Sequence, residues 1–338
     1  MLHYTCHNLH EEYMNAITVK NVSKTFIYHK KAEGLRGSMK ALFHREKLKK
    51  EAVKNISFSL KKGEFVGFVG PNGAGKTTTL KMLSGILYPT LGEISVAGFD
   101  PRKRQNGFKK RISIVMGQKS QLWPILPAVE TFRLLQKIYE VPEKDYQKRL
   151  KDLTDLFDVG EILNTQVRKL SLGQRMKCEI IASLLHNPDV LFLDEPTIGL
   201  DIIAQKKIRE FLKEYNQKAK TTIILTSHNM DDVQNLCERL IVINEGMIGY
   251  DGSLACIIEE YSKDKMIKVQ FEQKVAKKDL QILGNVTSWD GYGAELNIPK
   301  EMSQAAIGRL ITKFPVKDIN ISSITLEEII TDIFNGKG

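Results

Sequence analysis

The chain has few cysteines and no long apolar run, and each of these features removes a class of protein. No stretch approaches the ~18 to 20 consecutive apolar residues that cross a bilayer. The longest runs, such as Val190 to Leu193 and Thr222 to Leu225, have the length of strands. A protein integral to the membrane is therefore not expected. Residues 1–15 are polar, include Glu11 and Glu12, and lack the apolar segment of a secretory signal. They read as a flexible tail on a protein that stays in the cytoplasm. The four cysteines, Cys6, Cys178, Cys237 and Cys256, form neither a Cys-x-x-Cys pair nor a zinc spacing, so free thiols in a reducing compartment are expected. His3, Cys6, His7 and His10 imitate a metal cluster, but they sit in that terminal tail with no structural signal on either side, and no metal is assigned to them. Internal repeats and low-complexity tracts are absent too, which excludes solenoids and extended linkers.

What is present suits a folded two-domain protein of 338 residues with ordinary apolar and charged fractions. The formal charge is +10 and it is unevenly spread: from Lys24 to Lys54 there are ten Lys or Arg against three Glu. Such a segment suits nucleic acid, anionic lipid or an acidic protein surface, and charge by itself does not choose among them.

Ile17 to Phe26 and Ala52 to Leu60 alternate like strands of a small antiparallel sheet, with a basic insert over residues 29–51 between them. Within the insert Leu35, Met39, Leu42 and Phe43 fall near helical spacing, which suggests a short basic amphipathic helix. Phe65 to Val69 is a compact apolar strand that runs into a glycine-rich turn and then a helix beginning near Lys76. Residues 119–186 are mostly helical until Asn187 and Pro188 interrupt them. Val190 to Leu193, Thr222 to Leu225 and Leu240 to Asn244 read as buried strands. After about Gly252 the pattern changes. Strands at Met266 to Phe271 and Ala294 to Ile298, with amphipathic helices at Gln304 to Phe314 and Leu326 to Phe334, suggest a separate small α+β domain over 253–338.

Gly70, Pro71, Asn72, Gly73, Ala74, Gly75, Lys76 and Thr77 fit G-x-x-x-x-G-K-[ST], the P-loop or Walker A pattern, between a strand and a helix as its mechanism requires. The glycines let the backbone curl so that its N–H groups and the positive end of the helix converge on phosphate oxygens. Lys76 would bridge the β- and γ-phosphates, Thr77 would coordinate Mg²⁺, and Thr78 adds a further helix-start donor. The alternative for the loop in isolation is a tight turn with a solvated lysine. A second signal is Val190 to Asp194 followed by Glu195: a buried strand delivers two carboxylates at its carboxyl end, where open α/β sheets place their ligands. Asp194 suits the Mg²⁺ shell and Glu195 the polarisation of a water for attack on the γ-phosphate. Seen alone, the pair would equally cap the next helix.

Leu170-Ser-Leu-Gly-Gln174 closely resembles the Leu-Ser-Gly-Gly-Gln signature of ABC ATPases, and it precedes the Asp-Glu pair at that family's distance. Ser171 and Gly173 open a helix whose Met176, Ile180 and Leu184 face inward, leaving a hydroxyl and free N–H groups for an anion; the alternative for this segment in isolation is an ordinary serine helix cap. The resemblance covers about Ile17 to Gly252. It implies an α/β P-loop NTPase fold, with a RecA-like core, an antiparallel β subdomain and a helical subdomain over about 119–186. It also implies that two chains pair head to tail, each offering Ser171, Gly173 and Gln174 to ATP on the other's glycine loop. By the same resemblance, Gln118 matches the glutamine that senses Mg²⁺ and the attacking water. His228 matches the switch histidine at the γ-phosphate. Asp201, in Ile198-Gly-Leu-Asp201, matches the loop that crosses between subunits, with Gly199 departing from the commoner alanine. Phe26 matches the aromatic stacked on adenine, with Tyr28 a second candidate.

Gln121 to Phe132, Leu170 to Lys177 and Asp194 to Asp201 look like ATPases that serve type-2 ABC exporters. Two copies, or a copy and a paralogue, would then dock on separately encoded permease subunits at the cytoplasmic face of the membrane. The permease, not this chain, would contact the substrate. Soluble relatives acting on ribosomes or DNA carry two cassettes or a long coiled coil, which this sequence lacks, so direct contact with nucleic acid is not expected.

Overall fold

The computed structural model describes residues 15–29, 47–117, 119–261, 264–323 and 325–334. It divides into two compact units, Met1–Asp251 and Gly252–Gly338. The terminal His/Cys group and the helix expected around Met39 lie outside the described residues. So does Gln118.

In the first unit the chain forms β1 (Asn15–His29), β2 (Lys47–Lys61), β3 (Phe65–Val69), α1 (Lys76–Leu83) and β4 (Leu91–Val96). Next come α2 (Asn106–Arg111), β5 (Ile112–Met116), α3 (Ala128–Ile138), α4 (Glu143–Phe157) and α5 (Leu172–Leu184). The unit closes with β6 (Val190–Asp194), α6 (Ile202–Ala219), β7 (Thr222–Thr226), α7 (Met230–Leu236), β8 (Arg239–Asn244) and β9 (Met247–Ser253). Three strands make a sheet in the order β2-β1-β4, with both pairings antiparallel. Six make a second sheet in the order β5-β6-β7-β3-β8-β9, parallel from β5 through β8.

Apolar runs explain the second sheet. Every residue of β3, β6 and β7 is buried, as a parallel strand covered on both faces requires. Val66, Phe68, Phe192, Ile224 and Ile241 of this sheet join Ile17, Val19, Ile56 and Phe58 of the first in a single core cluster that also takes Leu80 and Leu83 of α1. Burying each such side chain stabilises the fold by about 1.5–3 kcal/mol. The core thus fastens the loop between β3 and α1 to both sheets.

One expectation needs correction. Of the basic insert expected over 29–51, His29 and residues 47–51 are strand, because β1 and β2 stay paired as far as His29↔Lys47. Lys49 and Lys50 are exposed, so their charges stay solvated while the backbone ladder continues past them. Alternation of apolar residues cannot reveal such a polar extension.

In the second unit are α8 (Leu254–Tyr261), β10 (Asp264–Phe271), α9 (Lys277–Gln281), β11 (Asn285–Trp289), β12 (Gly293–Pro299), α10 (Ser303–Lys313), β13 (Val316–Ser323) and α11 (Leu326–Phe334). The sheet order is β11-β12-β10-β13 with all neighbours antiparallel. Strand, helix, two strands, helix and strand in that order make the ferredoxin-like split β-α-β arrangement. Ile267, Val269, Phe271, Leu296 and Ile298 line one face, packed with Leu280 of α9 and Leu310 of α10. The apolar pattern does not reveal β11, an edge strand with four of its five residues exposed.

Candidate nucleotide site

β3 ends at Val69 and the glycine loop turns into α1. Gly75, the residue before the helix, has φ +111°, and a Cβ there would lie 2.5 Å from the Ala52 carbonyl oxygen, so only glycine fits both the conformation and the approach. No side chain among the described residues caps α1. Its first-turn N–H groups and its dipole are therefore offered to an anion. Lys76 is buried, and its ammonium donates to the carbonyl oxygens of Gly70 at 2.6 Å and Pro71 at 3.1 Å. Burial lowers the lysine's pKa, and the nearby carboxylates of Glu195 and Asp194 oppose that shift. The cation thus lies across the loop with two acids in reach of its field.

Those acids come from the carboxyl end of β6. The Thr77 hydroxyl donates to both oxygens of Asp194, at 3.0 and 3.2 Å, and the Thr226 hydroxyl donates to one of them at 2.7 Å. Thr226 is a site residue that the sequence reading missed; its signal was its place at the end of a buried strand, two residues before His228. Glu195 has φ +55°, a region that costs a non-glycine residue about 1–3 kcal/mol. Its N–H donates to the Thr226 carbonyl at 3.0 Å, which holds that conformation. From there its carboxylate reaches Nε2 of His228 at 2.9 Å. The two side chains line a cleft of about 260 Å³ together with Thr197, Gly199, Ser227 and Asn229.

Behind the cleft, Asp232 is fully buried and ion-paired to Arg209 at 2.8 Å. It also accepts hydrogen bonds from the hydroxyls of Thr197 and Ser227. Thr197 follows Glu195 by two residues and Ser227 precedes His228, so Asp232 ties together the segments that carry the two cleft residues. The sequence reading missed it, because an acid in the first turn of a short helix carries no distinctive pattern.

The remaining expected residues lie elsewhere. Ser171 caps α5: it accepts from the Gln174 N–H at 3.2 Å, while the Gln174 side chain accepts from the Ser171 N–H at 2.9 Å, a reciprocal capping box. Gly173 faces Ala204 of α6, whose Cβ a side chain at 173 would meet at 3.2 Å. Asp201 caps α6, accepting from the Ala204 N–H at 2.8 Å. Among the described residues no hydrogen bond joins Ser171, Gly173, Gln174 or Asp201 to the glycine loop of their own chain. Phe26 is half-buried on β1 with the Lys24 ammonium 5.2 Å from its ring centre, and Tyr28 is exposed. Pro71, Asn72, Gly73, Ala74 and Thr78 lie in the loop and first turn as expected.

A strand, a glycine turn, a buried lysine and an Asp-Glu pair at the end of a parallel strand of the same sheet together define a P-loop nucleoside triphosphatase. The hydroxyl and carboxylate that meet at Thr77 and Asp194 are hard oxygen donors of the kind Mg²⁺ takes. Comparisons with known proteins narrow the class. A family model described as ABC transporter matches residues 53–198, and one described as EvrA-like ABC transporter, C-terminal domain, matches residues 263–322. The chain is 38% identical over 215 residues to the ABC transporter ATP-binding protein NatA of Bacillus subtilis, covering 63% of this chain and 87% of that protein. It is 32% identical over 285 residues to the linearmycin resistance ATP-binding protein LnrL of the same organism, covering 83% and 91%. Among solved structures, the ATP-binding cassette MJ0796, dimeric in a post-hydrolysis state with ADP and Pi, superposes with a TM-score of 0.58 at 27% identity over 70% of this chain and 98% of that one. The chain therefore belongs to the ATP-binding proteins of ABC transporters.

Proposed function

We propose that two copies of this chain, or one copy and a paralogue, close on ATP and hydrolyse it to drive export through a separately encoded membrane permease. One observation carries the reading: three elements distant in sequence bring Thr77 against Asp194 and Glu195 against His228 beside the glycine loop. In this reading the N–H groups of residues 70–78, with Lys76, hold the phosphates. Glu195 accepts a proton from the attacking water as the bond to the ADP oxygen breaks, and His228 steadies both Glu195 and the γ-phosphate. Thr77, Asp194 and Gln118 would hold Mg²⁺, which when bound neutralises charge on the β- and γ-phosphates. Ser171, Gly173, Gln174 and Asp201 are free of their own chain's loop and serve the second chain's ATP, while Phe26 stacks on adenine.

No helix among the described residues is long and apolar enough to cross a membrane. A cleft of about 390 Å³, lined by Ile86, Lys109, Lys110, Gln121, Ile138 and Tyr139, lies between α2, β5 and α3 and offers a mixed apolar and basic surface for contact with the permease. The relative named for linearmycin resistance favours export, since removing a compound confers resistance to it. The test is to tag the protein, extract native membranes in mild detergent and identify what co-purifies. A multi-spanning protein is expected. Recovery only from the soluble fraction, with ribosomes or nucleic acid, would end the transport reading and leave the ATPase assignment standing.

A further inference from the structure

The stretch between β4 and β5 carries more charge of one sign than the nucleotide site uses. Six of the ten residues from Arg102 to Arg111 are Lys or Arg and none is acidic, in a chain whose formal charge is +10. Acids elsewhere answer half of them: Asp100 pairs with Arg102 at 2.9 Å, Glu140 with Lys110, and Asp189 with Arg111 at 3.6 Å. Lys103, Arg104 and Lys109 are exposed and, among the described residues, have no ion pair. The Lys109 ammonium reaches the side-chain oxygen of Asn106 at 3.4 Å. Like charges crowded on one surface repel each other, so the fold gains nothing from keeping these three cations together. A partner of opposite charge would.

These cations lie on a fixed surface. Pro101 and Phe108 are buried, and Phe108 packs on Phe99 with ring centres 6.3 Å apart. A Cβ at Gly85, just past α1, would lie 2.6 Å from the Pro101 carbonyl oxygen and 3.3 Å from the Phe108 ring, so the segment sits hard against the end of α1. The next residue, Ile86, is 46% exposed, and Ile138 of α3 is 58% exposed. Both line the cleft between α2, β5 and α3 together with Lys109 and Lys110. Exposed aliphatic side chains beside unpaired cations are the composition of a membrane-surface contact: the former enter the headgroup boundary and the latter meet anionic phosphates. A nucleic-acid strand is served by free aromatic faces on which its bases stack. Among the described residues the aromatic lining this cleft is Tyr139, whose ring is already stacked on His186.

We propose that Lys103, Arg104 and Lys109 bind the anionic phospholipid headgroups of a bilayer. The inference rests on the transport reading for its setting, since a permease seated in the adjoining cleft would bring this surface level with the headgroups. Each Lys or Arg near such a surface strengthens attachment about fivefold, so three together act at about a hundredfold. The attraction falls off within a Debye length of about 8 Å at physiological salt. Only cations that can reach the headgroups contribute, and these three are exposed.

The experiment mixes the purified full-length protein, without a permease, with sedimentable vesicles of phosphatidylcholine alone or of phosphatidylcholine with phosphatidylglycerol, at ~0.15 M salt. The parent should sediment with the mixed vesicles and stay in solution with the neutral ones. A triple variant, Lys103→Gln, Arg104→Gln and Lys109→Gln, should bind mixed vesicles about a hundredfold more weakly. Its Tm and ATP hydrolysis should not change, because none of these residues lies in the nucleotide site. Lys277→Gln, Lys278→Gln and Lys300→Gln together remove the same charge from exposed positions of the second unit and should leave vesicle binding within about threefold of the parent. Equal weakening by the two triple variants, the mark of net charge alone, overturns the proposal. So does a parent that ignores the mixed vesicles, or one whose three cations are needed to bind an oligonucleotide but not vesicles. If vesicle binding fails while a multi-spanning protein still co-purifies with the tagged chain, the transport reading stands without this proposal. Vesicle binding as expected, with recovery of the chain on ribosomes or nucleic acid and no permease, would keep the lipid contact and end the transport reading.

Discussion

Replacing Glu195 by glutamine separates binding from turnover. The substitution keeps the length and nearly the volume of the side chain. It also keeps the main-chain bond from residue 195 to the Thr226 carbonyl, so the left-handed backbone at this position should persist. An amide oxygen at 195 still accepts from His228 Nε2, now 2.9 Å from the Glu195 carboxylate, and the cleft between them keeps its walls. Only basicity is lost. A positioned general base contributes about 10²- to 10⁴-fold, equivalent to about 3–5 kcal/mol of barrier at 1.36 kcal/mol per tenfold change. ATP binding should not weaken, because the change removes a negative charge beside an anionic ligand and leaves Lys76 and the glycine loop as they are. Phosphate release in a single turnover and equilibrium binding of ATP measure the two parts separately. Size-exclusion chromatography with ATP should also show the variant trapped as a dimer, since closure no longer ends in hydrolysis. Turnover within about threefold of the parent would refute the role given to Glu195.

Gly117→Ala places a methyl group 2.2 Å from the Glu195 carbonyl oxygen, so β5 or the 195 peptide must move by about an ångström; kcat should fall about hundredfold, with about 1–3 kcal/mol of stability lost in urea melts. Asp232→Asn leaves the largely buried Arg209 without its counter-charge. It should cost about 3–5 kcal/mol, read as a lower Tm, whereas Asp231→Asn on the exposed side of the same turn should cost almost nothing. His186 stacks on Tyr139 at 3.9 Å, and its Nε2–H donates to the Ile112 carbonyl at 3.1 Å while its buried Nδ1 has no partner among the described residues. Burial lowers its pKa from 6.5 to about 4. Because the folded value is the depressed one, the neutral ring's stabilisation is complete above about pH 6.5 and is lost as pH falls toward 4. The loss is about 3 kcal/mol, and His186→Gln should remove that part of the pH slope in equilibrium denaturation.

Much of this protein is legible in runs of contiguous residues. The strand from Phe65 to Val69, the glycine turn and the helix from Lys76 are adjacent in sequence, and the first two have their own local signals, an apolar run and residues free to take positive φ; the helix, whose first turn carries three threonines, is announced by the loop before it rather than by helix propensity. The strands Val190–Asp194 and Thr222–Thr226 are equally clear, because a strand buried on both faces must be apolar throughout. The polar ends of β1 and β2 and the exposed edge strand β11 escape for the opposite reason. Their stability lies in backbone pairing with neighbours, and their side chains face water.

By itself the sequence determined that a phosphate loop, a two-carboxylate strand end and a Leu-Ser-Leu-Gly-Gln helix start would exist, because each is built from near neighbours whose torsions and polarity are local properties. It could not determine which of them would meet. Thr77 and Asp194 are brought into contact across 117 positions, Thr226 joins Asp194 across 32, and Glu179 holds Ser120 across 59. Those meetings depend on strand order and on the burial that fixes it. Ser171 and Asp201 cap their own helices through partners three residues away, a local matter, whereas tertiary structure decided what those helix starts face, setting Gly173 against Ala204 of α6.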